Sequence, residues 1–128
     1  MGIPTSLALP SVITAYDGKL CLKDALVIGV SQSGKAADVL AVMERAKNCG
    51  ALTVAVTNDL DSPMAKYGDY HLYCNAGLEE SVAATKTFTS QMYVLALLAG
   101  YWADNKEFLA KLDAVPAAAE EFLSYIPQ

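Results

Sequence analysis

The sequence is short of cationic side chains, cysteine, histidine and long apolar runs, and each shortage excludes something. Nine Lys and Arg stand against fourteen Asp and Glu, for a net charge of −5 at pH 7. The nine nowhere gather into a stripe, which argues against a nucleic-acid-binding or anionic-membrane surface. An acidic chain can still hold one phosphate locally. The three cysteines, Cys21, Cys49 and Cys74, are odd in number and far apart, so neither a disulfide framework nor a zinc site is expected, and no metal or other cofactor is assigned. Buried thiols in a reducing cytoplasm fit that pattern. The longest nearly apolar run, Met92 to Ala103, is too short to cross a bilayer, and no basic segment with an apolar run and cleavage site opens the chain. No internal repeat, low-complexity tract or Gly/Ser linker is visible.

What is present is a hydrophobic sequence long enough for one core. Leu26-Val27-Ile28-Gly29-Val30 is short, continuously apolar and partly β-branched, as a strand buried on both faces of a parallel sheet is. Leu52 to Val56 and Tyr70 to Cys74 follow suit, and Leu7-Ala8-Leu9 is a weaker candidate for an edge strand. Between the first two, Ala36, Val39, Leu40, Met43 and Ala46 recur at helical spacing, and Gly50 can supply a left-handed cap. Asp61-Ser62-Pro63 starts a short helix, with a capping residue before a first-turn proline. Ser81 to Trp102 reads as a long helix, and Ala114 to Tyr125, with Pro116 in its first turn, as a terminal one. Strand and helix in alternation predict an α/β fold with a doubly wound parallel sheet and helices on both faces, in three layers.

In such a sheet, ligands sit beyond the carboxyl ends of the strands. The residues there are Ser31-Gln32-Ser33-Gly34-Lys35, Thr57-Asn58-Asp59 and the segment Asn75 to Ser81. The first is a small, hydroxyl-rich turn opening a helix, where backbone N–H groups and the positive helix end favour a phosphate dianion. The plainer reading is that Ser33 caps the helix and Gly34 eases the turn. Gly29 and Gly34-Lys35 also have the spacing of a nucleotide-binding P-loop, but Ala36 stands where a magnesium-binding Ser or Thr is required and Gly29 lies inside the strand. Ser81 to Lys86 offers a second helix start with small residues that a ligand could approach, although an ordinary buried helix with a solvated Lys86 explains it equally well. His71 lies within a strand, so packing is its expected role. Glu79 is the candidate acid–base residue, in a loop where surface glutamates are common.

At residues Val27 to Asp38, with the core Ser31-Gln32-Ser33-Gly34, the sequence resembles the phosphate loop of sugar-isomerase (SIS) domains, especially the branch of glutamine:fructose-6-phosphate amidotransferase. Gly77 to Gln91 is similar to that branch's G-P-E-x-x-V-A-S-T-K-x-F-T-x-Q segment. The resemblance runs to about Trp102, and Leu112 to Leu123 is similar to the helix joining a first SIS domain to a second. It implies a flavodoxin-like phosphosugar-binding domain over residues 1–112 and a linker helix over 113–128. It further implies phosphate contacts from Ser31, Gln32, Ser33, Gly34 and Lys35, and sugar contacts from Val82, Ala83, Thr85 and Lys86. Three departures stand out: Ala36 for a common Thr, Lys35 for a common Glu, and Leu78 for Pro. Lys35 could restore phosphate attraction.

Family domains begin with a strand, a turn and a helix before the segment matching Met1 to Pro4, so the resemblance implies a sheet lacking that strand and a need for self-association, as in a homodimer. It also implies that the isomerase base and ring-opening histidine come from a second SIS half or a neighbouring subunit. The parent reaction is then an aldose–ketose isomerisation, an amination or a deamination of a sugar 6-phosphate. The alternatives are a sugar-phosphate-sensing regulatory domain and, remotely, a nucleotide-binding enzyme. No nucleic-acid or membrane partner is expected.

Overall fold

The computed structural model describes residues 2–80 and 83–125. Three strands, β1 (Leu26–Val30), β2 (Leu52–Thr57) and β3 (Tyr70–Tyr73), form a parallel sheet in the order β1-β2-β3. Gly29 lies opposite Ala55, and Ala55 opposite His71. Helix α2 (Ala37–Asn48) crosses from β1 to β2, and α3 (Pro63–Tyr67) from β2 to β3. The architecture is the expected α/β fold. The chain divides into two compact units, the first comprising residues 2–91 and the second residues 92 onward.

In the first unit the core lies where α2 and α3 meet the sheet. Met43, Ala55 and Met64 are fully buried, with Val39, Leu40 and Tyr67 packed against them. Gly29 makes this packing possible, because a Cβ there would stand 2.4 Å from Met43 Sδ and 2.9 Å from Met64 Cε. The glycine that mimics the start of a P-loop is therefore a packing residue inside β1. Helix α2 ends through Gly50, whose φ of +82° is the expected left-handed cap. Ser62 caps α3 by accepting from Ala65 N at 3.2 Å, with Pro63 in the first turn.

A charged clasp ties α2 to the sheet. Asp69 accepts from Thr53 N at 2.9 Å and Thr53 Oγ1 at 2.8 Å, and meets Lys47 Nζ at 2.9 Å. Hydrogen bonding to Lys47, then to Thr53, lowers the Asp69 carboxyl to about 2.

The structure departs from the sequence pattern in four places. Leu7-Ala8-Leu9 forms no strand: Leu7 is 94% exposed, and the segment leads into a short helix, α1 (Pro10–Thr14), with Pro10 in its first turn. Apolar side chains without a neighbouring strand to pair with do not make a sheet edge. Cys74 is buried and Cys49 partly so, but Cys21 is exposed. The long helix α4 (Lys86–Trp102) begins at Lys86; Ser81, the expected cap, lies outside the described residues. A further helix, α5 (Lys106–Asp113), precedes the terminal α6 (Val115–Ser124). Asn105 caps α5 by accepting from Phe108 N at 3.0 Å, a cap that Asp104-Asn105 before Phe108 signals in the sequence. Within the second unit, Tyr93 Oη donates to Leu112 O at 3.1 Å, and a Cβ on Gly100 would meet Leu109 Cδ2 at 2.7 Å. Among the described residues no helix is long and apolar enough to cross a membrane.

Candidate functional site

The carboxyl ends of all three strands open onto one set of hydrogen-bonded loops. Ser31 N donates to Val56 O at 3.1 Å, extending the ladder one residue past β1. The chain then turns sharply: Gly34 N donates to Ser31 O at 3.3 Å and Ser31 Oγ at 3.2 Å. Gly34 is buried with a φ of +62°, and a Cβ there would sit 2.3 Å from Ser62 Oγ and 3.1 Å from Thr57 Cγ2. Both the left-handed backbone and the lack of space require glycine. Met64 N donates to Gly34 O at 3.1 Å, which locks the turn to α3.

This geometry leaves donors for an anion. Ser31 Oγ accepts from Gly34 N and Ser33 Oγ accepts from Lys35 N at 3.3 Å, so each hydroxyl keeps its proton to donate. Among the described residues, the N–H groups of Gln32 and Ser33 meet no acceptor. Ser33 does not cap α2, whose N-cap position is Ala36, without a side-chain bond. Ser31, Gln32 and Ser33 are half-buried, while Lys35 is exposed and pairs with Asp59 at 3.5 Å.

Behind the turn lies a buried polar cluster. Thr57 Oγ1 donates to Asp59 O at 2.9 Å, accepts from Asp59 N at 3.2 Å, lies 3.5 Å from Ser62 Oγ and stands 2.8 Å from His71 Nε2. Burial lowers the His71 imidazole below its ordinary 6.5, against the pull of Asp59 and a Thr57 hydrogen bond. His71 is thus a strand residue bonded inside the fold, as its position in the sequence indicated. Burial also pushes the Cys74 thiol up.

The loop after β3 carries the second set of expected residues. Asn58 reaches across to it, accepting from Ala76 N at 2.8 Å and donating to Gly77 O at 2.7 Å. Farther on, Glu79 Oε2 accepts from Thr87 Oγ1 at 2.9 Å and Thr87 N at 3.3 Å, and Lys86 Nζ donates to Leu78 O. The Glu79 carboxylate thereby satisfies an N–H in the first turn of α4, which explains the start at Lys86. Ala83 and Thr85 precede the helix and are exposed; Val82 lies outside the described residues. Among the described residues no three His, Cys, Asp or Glu side chains gather as metal ligands would. The sequence marks Thr57-Asn58-Asp59 only as the carboxyl end of β2 and Ser62 only as the cap of α3, and gives none of Thr57, Asn58 and Ser62 a role in the site.

Comparison with known proteins gives a consistent picture. The family model described as the SIS domain matches residues 13–100. The glutamine–fructose-6-phosphate aminotransferase (isomerizing) of Aquifex aeolicus is 38% identical over 124 residues, which are 96% of this chain and 21% of that protein. A solved structure from Silicibacter pomeroyi, described as a phosphosugar isomerase, superposes with a TM-score of 0.86 at 41% identity, covering 91% of this chain and 36% of the other. The C-terminal domain of glucosamine-fructose-6-phosphate aminotransferase from Francisella tularensis superposes with a TM-score of 0.57 at 30% identity, over 70% of this chain and 23% of that one. The chain thus spans about a fifth of the length of the curated relatives it matches.

Proposed function

The chain belongs to the SIS domain family, and we propose that it binds the phosphate of a sugar 6-phosphate in the turn of Ser31, Gln32, Ser33, Gly34 and Lys35. One observation carries this reading: two N–H groups without acceptors and two serine hydroxyls with protons to give lie together at the carboxyl end of β1. Such a cluster suits a dianion, which accepts hydrogen bonds and donates few. The sugar then extends toward the loop after β3, with Val82, Ala83, Thr85 and Lys86 as its contacts. The bonding of Glu79 to Thr87 and of His71 to Thr57 supports binding in preference to complete catalysis by these residues alone. In the parent isomerase, aminotransferase or deaminase, a cytoplasmic enzyme by this reading, the base and the ring-opening group come from a second SIS half or a second copy of the chain. By this reading residues 1–112 belong to the phosphosugar-binding domain and residues 113–128, which include α6 (Val115–Ser124), to a linker that follows it in the chain.

Thermal unfolding with fructose 6-phosphate, glucosamine 6-phosphate, unphosphorylated fructose and MgATP tests the proposal. A ligand at about 100 times its dissociation constant stabilises by about 2.7 kcal/mol. Stabilisation by the phosphosugars alone, abolished in Ser33→Ala, is the expected result. Stabilisation by MgATP without any effect of phosphosugars would replace this reading with the nucleotide one.

A further inference from the structure

Two loops frame the proposed site, and one residue touches both. Asn58 N donates to Gln32 O at 3.0 Å, on the phosphate side. Its side chain accepts from Ala76 N at 2.8 Å and donates to Gly77 O at 2.7 Å, on the side of the sugar. The amide of asparagine presents an acceptor and a donor side by side, which is what a neighbouring peptide N–H and C=O require. Aspartate lacks the donor, and glutamine sets the pair one methylene farther out.

The loop it grips needs holding. Asn75 has a φ of +50° and Gly77 of +68°, so the backbone twice enters the left-handed region within three residues. The β2–β3 pairing reaches only as far as Cys74, whose N–H donates to Thr57 O at 2.9 Å. Past that point, Ala76 and Gly77 are held by Asn58.

We propose that Asn58 is a positioning residue that fixes the sugar-side loop against the phosphate-side loop, and so governs affinity for the sugar part of the ligand more than for its phosphate. The inference rests on the phosphosugar reading above. Because the backbone N–H to Gln32 survives any side-chain change, the phosphate turn keeps its place when the amide is removed.

The test is calorimetric titration of wild type, Asn58→Ala and Asn58→Asp with fructose 6-phosphate and, separately, with inorganic phosphate, alongside thermal melts. Asn58→Ala is expected to weaken fructose 6-phosphate about tenfold or more, as the loss of two hydrogen bonds of about 1 kcal/mol each allows. Inorganic phosphate should change less than about twofold. Asn58→Asp keeps the bond from Ala76 N but sets a carboxylate oxygen against Gly77 O, so it should show the same selective loss; it decides the matter if the alanine variant does not fold. Equal losses for both ligands, or no loss for fructose 6-phosphate, would overturn the inference while leaving the phosphosugar reading intact. A wild type that binds neither ligand would overturn that reading, and this inference with it.

Discussion

The two sides of the candidate site are built by different means. On the proposed phosphate side, Gly34, Thr57 and Ser62 are all buried, and the turn is fixed by backbone bonds to β2 and α3. On the proposed sugar side, Leu78 is 77% exposed and Ala83 and Thr85 are exposed too; the loop is held by the side chains of Asn58, Glu79 and Lys86. The first is a by-product of packing the fold needs anyway. The second depends on a few polar bonds that can change without disturbing the core. Changes on the phosphate side should therefore cost stability and binding together, and changes on the sugar side mainly binding.

The sharpest challenge to that contrast is Gly34→Ala. Forcing a Cβ into the left-handed region and against Ser62 should cost about 3 kcal/mol in denaturant unfolding, combining backbone strain with overpacking. A loss below about 1 kcal/mol would show that the turn is not locked as described. On the other side, Thr87→Val removes a buried hydroxyl that donates to Glu79, and should cost only about 1 kcal/mol; a loss equal to that of Gly34→Ala would erase the distinction.

Acid should find the two clasps in turn. His71 is held below its ordinary 6.5, so the unfolded chain binds its proton first, and stability should begin to fall as pH drops below about 6.5. Asp69 is lowered from 3.8 to about 2, so its contribution, complete above about pH 4, should disappear between those values. Chemical unfolding across pH should show both slopes, with His71→Gln flattening the first and Asp69→Asn the second. The smallest effect on stability belongs to Lys35→Ala: its ion pair with Asp59 is exposed and worth at most about 1 kcal/mol. Its consequence should instead appear as weaker phosphosugar binding at low salt, fading as salt rises; unchanged affinity at low salt would remove Lys35 from the site.

Much of this was legible in the chain itself. Short, mostly apolar runs mark β1, β2 and β3, although only β2 is buried along most of its length and Tyr70 and Tyr73 at the ends of β3 are exposed. The spacing of Val39, Leu40, Met43 and Ala46 marks α2, and Ser62-Pro63 and Gly50 mark helix ends, because caps and left-handed turns admit few residue types. The place of the turn Ser31 to Lys35 follows from the strand before it.

Other features escaped local reading. The exposed Leu7–Leu9 has strand-like residues but no neighbour to pair with, and the start of α4 was decided by a glutamate eight residues before Thr87. Gly29 looked like part of a phosphate loop until two methionines, one from each crossover helix, came to fill the space beside it. Sequence alone determined β1, β2 and β3, the helices α2 and α3 that cross between them, and where the loops between these elements emerge, since those depend on periodicity and capping within a few residues. Only the tertiary structure decided that Asn58 grips the loop after β3 and that His71 meets Thr57: such pairs join residues 18, 19 and 14 positions apart, and distance along the chain carries no record of a hydrogen bond that folding alone brings within 3 Å.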